Sequence, residues 1–108
     1  MKLIIAIVNR DDSSDLIHKL NKSGFMSTKL STTGGFLRAG NITLLIGVEN
    51  DKTQDVIDII SKCCSQRVEI VTSSAGNYSE HFFASLPVEV TVGGATVFVI
   101  DVEQFIKM

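Results

Sequence analysis

Apolar and polar positions divide the chain into short blocks. Lys2 to Val8 is an almost unbroken run of Leu, Ile, Ala and Val. A short β-branched run of this kind predicts a central strand buried on both faces. Polar residues follow at once. Asp12 or Ser13 is placed to cap a helix whose Leu16, Ile17 and Leu20 share one face, and Gly24 to stop it. Phe25 to Ser31 reads as a second strand and Asn41 to Val48 as a third. Gly47 interrupts the third strand, where glycine marks either a bulge or a close approach of something to the backbone. Asp51 to Cys64 gives the clearest helix. Asp51 and Gln54 suit a capping box, and Val56, Ile57, Ile60, Cys63 and Cys64 form one stripe. Arg67 to Val71 predicts a short strand. Thr72 to Leu86 has no period, and it carries Tyr78, His81, Phe82 and Phe83. Pro87 to Val92 alternates strictly, predicting a strand with one buried face. Gly93-Gly94 reads as a two-residue hairpin turn into a partner strand, Ala95 to Ile100.

This order, β-α-β-β-α-β with an added C-terminal β-hairpin, predicts a single α+β domain over residues 1–108 of ferredoxin-like type. Helices would cover one sheet face. The other face needs a cover of its own, which points to a small symmetric oligomer. The 44% hydrophobic content supplies the apolar surface such an interface requires.

Charge and composition remove several alternatives. A net charge of -2 with no basic cluster argues against nucleic acid as a partner. The longest apolar run, Leu3 to Val8, is too short to cross a bilayer or to form a secretory core segment, so a cytoplasmic protein is expected. Cys63 and Cys64 are adjacent, a poor arrangement for a disulfide framework or a zinc site, and are read as half-buried thiols at a helix end. His81 and Glu80 have no further metal ligands clustered near them in the sequence. No Ser-His-Asp pattern, carboxylate pair or HExxH motif is present, and no catalytic residue is assigned.

Candidate chemistry concentrates between Thr28 and Asn41. Gly34 and Gly35 permit a backbone nest of N–H donors for an anionic oxygen. Thr28, Thr32 and Thr33 add hydroxyls, and Arg38 or Lys29 a cation. Phe36 and Leu37 offer a surface on which a flat ring can lie, and Asn41 has the donor–acceptor pair that reads an adenine edge. The mixture suits a nucleotide. Thr32-Thr33-Gly34-Gly35 is not a Walker motif, and an ordinary hairpin with an exposed Phe stays open on these residues alone.

Two longer stretches carry a resemblance. Leu30 to Asn41, with Gly47, resembles one signature of the PII-like cyclic di-AMP receptor family, the PstA or DarA proteins. Pro87 to Val99 resembles its second signature, and Met1 to Val8 also fits. The resemblance implies a PII-like homotrimer that binds cyclic di-AMP in clefts between subunits. Signalling would run through loop movement toward a downstream protein, without a cofactor or catalysis. By position, Thr28 and the Gly34-Gly35 backbone would meet phosphate, and Phe36 and Leu37 would pack on adenine. Asn41 would bond to that base, Gly47 would allow close approach, and Phe98 would line the pocket from a neighbouring strand. The pattern also departs from the family. Gly24 and Met26 stand where members carry Asn and Arg, the 72–86 segment differs, and Ile106-Lys107-Met108 replaces His-Gln-Phe. The alternatives are a PII-like paralogue for another adenine nucleotide or for protein contacts alone, and a small nucleotide-handling enzyme.

Overall fold

A computed structural model describes residues 1–30, 40–72 and 87–108. Among these residues, six strands and two α-helices follow one another as β1 (Lys2–Asn9), α1 (Arg10–Lys22), β2 (Thr28–Leu30), β3 (Asn41–Val48), α2 (Thr53–Cys63), β4 (Arg67–Thr72), β5 (Pro87–Val92) and β6 (Ala95–Asp101), with a 3-10 turn over Asn50–Lys52 leading into α2. Four strands form an antiparallel sheet in the order β2-β3-β1-β6, while β4 and β5 form a separate two-stranded ribbon.

The sheet order fits the split βαβ layout, with one change from the sequence reading. The expected fourth core strand, beginning at Arg67, belongs to the ribbon. The expected hairpin between Pro87–Val92 and Ala95–Ile100 does not form, because β5 pairs with β4 and β6 pairs with β1. The reason lies in β1. Its buried backbone needs hydrogen-bond partners on both sides, and β6 supplies the second one, from Lys2 opposite Asp101 to Val8 opposite Ala95. Gly93 and Gly94, at φ +80 and +87, turn the chain from ribbon to sheet instead of closing a hairpin.

The core lies between one sheet face and both helices. Ile4, Ala6 and Val8 of β1, and Ile42, Leu44, Ile46 and Val48 of β3, cluster with Leu16 and Leu20 of α1 and with Val56, Ile60 and Cys64. Odd-numbered Leu3, Ile5 and Ile7 point the other way and are only half-buried. The central position expected for β1 holds, but full burial of both its faces does not, since both helices lie over the same one. In the ribbon, Val88 and Val90 are exposed, so its alternation does not give a buried face within this chain.

Helix boundaries follow their caps. Asn9, not Asp12 or Ser13, caps α1, its Oδ1 accepting the Asp11 N–H at 2.8 Å. The oxygen leaves the strand end already aimed at the orphan donors of the first turn, so the helix starts at Arg10. Asp11 and Asp12 add favourable charge there. Replacing Asn9 by Ala should cost about 1 kcal/mol. The check is thermal unfolding, where a fall of roughly 4–8 °C is expected.

At the other end of α1, the Phe25 N–H reaches the Leu20 carbonyl and the Gly24 N–H that of Asn21, the Schellman pattern, with Gly24 at φ +88. Phe25 thereby folds onto the core, and β2 begins only at Thr28 instead of Phe25. The capping box expected at Asp51 is absent. Gln54 Nε2 donates to Asp58 Oδ1 at 2.9 Å, one turn further along α2.

Candidate functional site

Cross-strand register places four candidate residues on the sheet face opposite the helices. Thr28 lies opposite Leu45, Leu45 opposite Ile5, and Ile5 opposite Phe98. These four therefore form one row across the sheet. Gly47 sits in the next row, opposite Leu3, which in turn faces Ile100. Asn41 begins β3 and shares the parity of Leu45 and Gly47, so it belongs to the same face. Thr28, Asn41, Gly47 and Phe98 are all exposed. Phe98 is 52% accessible, a large apolar ring that the described residues leave uncovered.

The row also sets a separation. Three strand spacings lie between Thr28 and Phe98, about 14 Å, because they occupy the two edge strands. Lys29 has the opposite parity, paired with Leu44, so a shared face with Thr28 is ruled out for its side chain. Gly34, Gly35, Phe36, Leu37 and Arg38, and the aromatics of 73–86, lie outside the described residues.

Gly47 has no local reason to be glycine. Register between β1 and β3 is continuous from Lys2–Val48 to Asn9–Asn41, so there is no bulge. Its φ is not positive, and a Cβ added there would meet none of the described residues within 4 Å. Of the two readings of this glycine, bulge and close approach to the backbone, close approach is the one left.

A second concavity adjoins the first surface at Asn41. It is a cavity of about 590 Å³ between the end of α2, the start of β6 and the chain segments leading into and out of the ribbon. Asn9 and Asn41 line it on the sheet side, and Ser65, Gln66, Gly93 and Gly94 on the ribbon side. Ile57, Ile60 and Val97 contribute apolar surface, and none of the lining side chains is charged. Apolar walls with a few amides and hydroxyls suit a flat, neutral heterocycle better than a bare anion. The sequence reading missed Asn9, Ser65, Gln66, Gly93 and Gly94 as wall residues. The one available signal is the Gly93-Gly94 pair, which by itself indicates a turn.

Other chemistry is accounted for locally. Burial pushes the Cys64 thiol up to about 11, so it stays protonated at neutral pH, and burial also raises Cys63. Lys2 pairs with Asp101 across β1 and β6, which holds the Asp101 carboxyl below its ordinary range. Among the described residues no three His, Cys, Asp or Glu side chains cluster to hold a metal. No described helix is long and apolar enough to cross a membrane.

Comparison with known proteins adds two findings. A crystal structure from Pediococcus pentosaceus ATCC 25745, described as that of a functionally unknown protein, is 40% identical. The match covers 99% of this chain and 96% of that one, with a TM-score of 0.76. A family model described as cyclic-di-AMP receptor matches residues 1–108, the whole sequence. The chain therefore belongs to the cyclic-di-AMP receptor family.

Proposed function

We propose that this protein is a non-catalytic cyclic di-AMP receptor that binds the ligand between subunits of a homotrimer. One observation carries the reading beyond family membership. Thr28, Asn41, Gly47 and Phe98 share an exposed sheet face, yet Thr28 and Phe98 sit on its opposite edges. In a head-to-tail ring, the β2 edge of one copy meets the β6 edge of the next. Phe98 of one subunit then stands beside Thr28 of another, and a single ligand touches both. Exposed Leu30, Phe98 and Ile100 supply apolar surface for that contact. Signalling by loop rearrangement toward a downstream protein goes with this reading. A cytoplasmic location goes with this reading.

Titration calorimetry with cyclic di-AMP, ATP, ADP and AMP, together with molar mass in solution, tests the reading. One cyclic di-AMP per subunit and a mass three times 11.7 kDa are expected. Absence of heat with cyclic di-AMP at high concentration rejects the ligand. Uptake of another adenine nucleotide instead selects the paralogue reading. Turnover of any of the four identifies an enzyme.

Met26 is the observation that favours the paralogue. It is 82% exposed just before Thr28, at a position where the family resemblance expects Arg. Because Met26 contributes little to the core, Met26→Arg should leave the fold intact. A restored charge-assisted bond to phosphate is expected to tighten cyclic di-AMP binding about tenfold. Unchanged or weaker affinity in the same titration would show that this position does not face the ligand.

A further inference from the structure

The cavity has two walls that belong to different parts of the fold. Asn9 and Asn41 come from the four-stranded sheet, and Ser65, Gln66, Gly93 and Gly94 from the base of the ribbon. Neither β4 nor β5 bonds to a strand of the main sheet. An isolated two-stranded ribbon has little stability or fixed direction of its own. Among the described residues, the contacts that orient it lie at its base.

Among the described residues, one ion pair bridges the two parts. Arg67 Nη2 donates to Asp12 Oδ1 at 3.0 Å, and Nη1 donates to Asp12 Oδ2 at 3.3 Å. Asp12 is in the first turn of α1, close behind Asn9 of one wall, and Arg67 opens β4 directly after Gln66 of the other. The Asp12 carboxylate is nearly buried, with 10% of its side chain accessible. Nη1 also donates to the Ser65 carbonyl at 3.3 Å, and Arg67 Nε lies 3.7 Å from Glu69 Oε2. Gly93 closes the arrangement. A Cβ there would come within 2.5 Å of Arg67 Nη1 and 2.8 Å of the Ser65 oxygen. The guanidinium is thus fixed by the carboxylate, a carbonyl and a glycine backbone at once. Two parallel bonds give such a pair direction as well as strength.

We propose that the Asp12–Arg67 pair, seated against Gly93, is a positioning latch that sets the ribbon base against α1 and so fixes the width of the cavity and its affinity for nucleotide. The affinity part rests on the cyclic di-AMP reading above, extended into the cavity through Asn41, the candidate residue that the sheet face and the cavity share. A wall already in place costs the ligand no ordering, whereas a loose ribbon must be ordered at each binding event.

Amide hydrogen exchange on the ligand-free full chain tests the latch itself, with Asp12→Ala, Arg67→Ala and the double variant. Amides of Arg67–Thr72 and Pro87–Val92 should exchange about tenfold faster in each single variant, with β1 and β3 at parental rates. The double variant should be no worse than the more affected single, since both remove the same contact. Parental ribbon rates, additive effects, or equal acceleration through β1 and β3 would overturn the proposal. Should a single variant fail to fold around its lone charge, Asp12→Asn with Arg67→Gln removes both charges and carries the same expectation. In the binding arm, Arg67→Ala should take up cyclic di-AMP about tenfold more weakly. An unchanged affinity overturns the role in cavity width. If the parent protein takes up no cyclic di-AMP, the functional reading fails, and the exchange result alone decides the latch.

Discussion

Gly47→Leu is expected to abolish cyclic di-AMP binding, by at least about 100-fold, while the fold survives. The fold survives because a Cβ at Gly47 meets none of the described residues within 4 Å and the backbone there is ordinary strand. Replacing glycine inside a strand should even add slightly to stability. Binding is lost because the new side chain fills the face that also carries Thr28, Asn41 and Phe98. Calorimetry and molar mass are read together. Lost binding at parental mass places the ligand over Gly47. Lost binding with a lower mass places a neighbouring subunit there. Parental affinity would mean that the ligand does not use this face.

Leu44→Ala should produce the largest loss of stability, about 3 kcal/mol. Leu44 is fully buried in β3 between the sheet and the helices, where truncation leaves a cavity with little room to collapse. For a domain of this size that corresponds to a melting temperature lower by more than about 10 °C. Leu45→Ala is the informative control. Leu45 is next along the strand but faces away from the helices and is half-buried, so it should cost much less in the isolated subunit. Equal losses in chemical denaturation would mean that another copy covers Leu45 as fully as the helices cover Leu44.

The local elements were legible where one periodic signal had one meaning. Asn41–Val48 reads as a strand and is one, and the stripe through Val56, Ile60 and Cys64 marks the buried face of α2. Legibility failed where a local signal served two ends. A Gly-Gly pair closes a hairpin and also lets a chain change sheets. What decides between them is the unpaired edge of β1, and nothing near Gly93 in the sequence reports it. Asn9 lies just past the apolar run Lys2 to Val8 and carries no signal of its own there, although it both ends β1 and caps α1. The site behaved in the same way. Gly47 stood out by composition, and only register excluded a bulge. Phe98 entered through family resemblance, and register then put it in one row with Thr28. Arg67 was one of ten basic residues with no pattern around it, and its partner lies 55 positions earlier.

The place of β6 has a consequence for how the chain comes to be folded. β1 is synthesised well before β6, which bonds along nearly its whole length. Until Ala95–Asp101 has emerged, one side of an almost wholly apolar strand lacks its partner. Contacts between residues so far apart in sequence form slowly, because a long loop must close before any of them is gained. The nascent chain therefore passes through a stage with an open, sticky edge, at which pairing with another unfinished copy competes with completion. Nucleotide cannot shorten that stage if its pocket includes Phe98, since the pocket does not exist until the edge is closed.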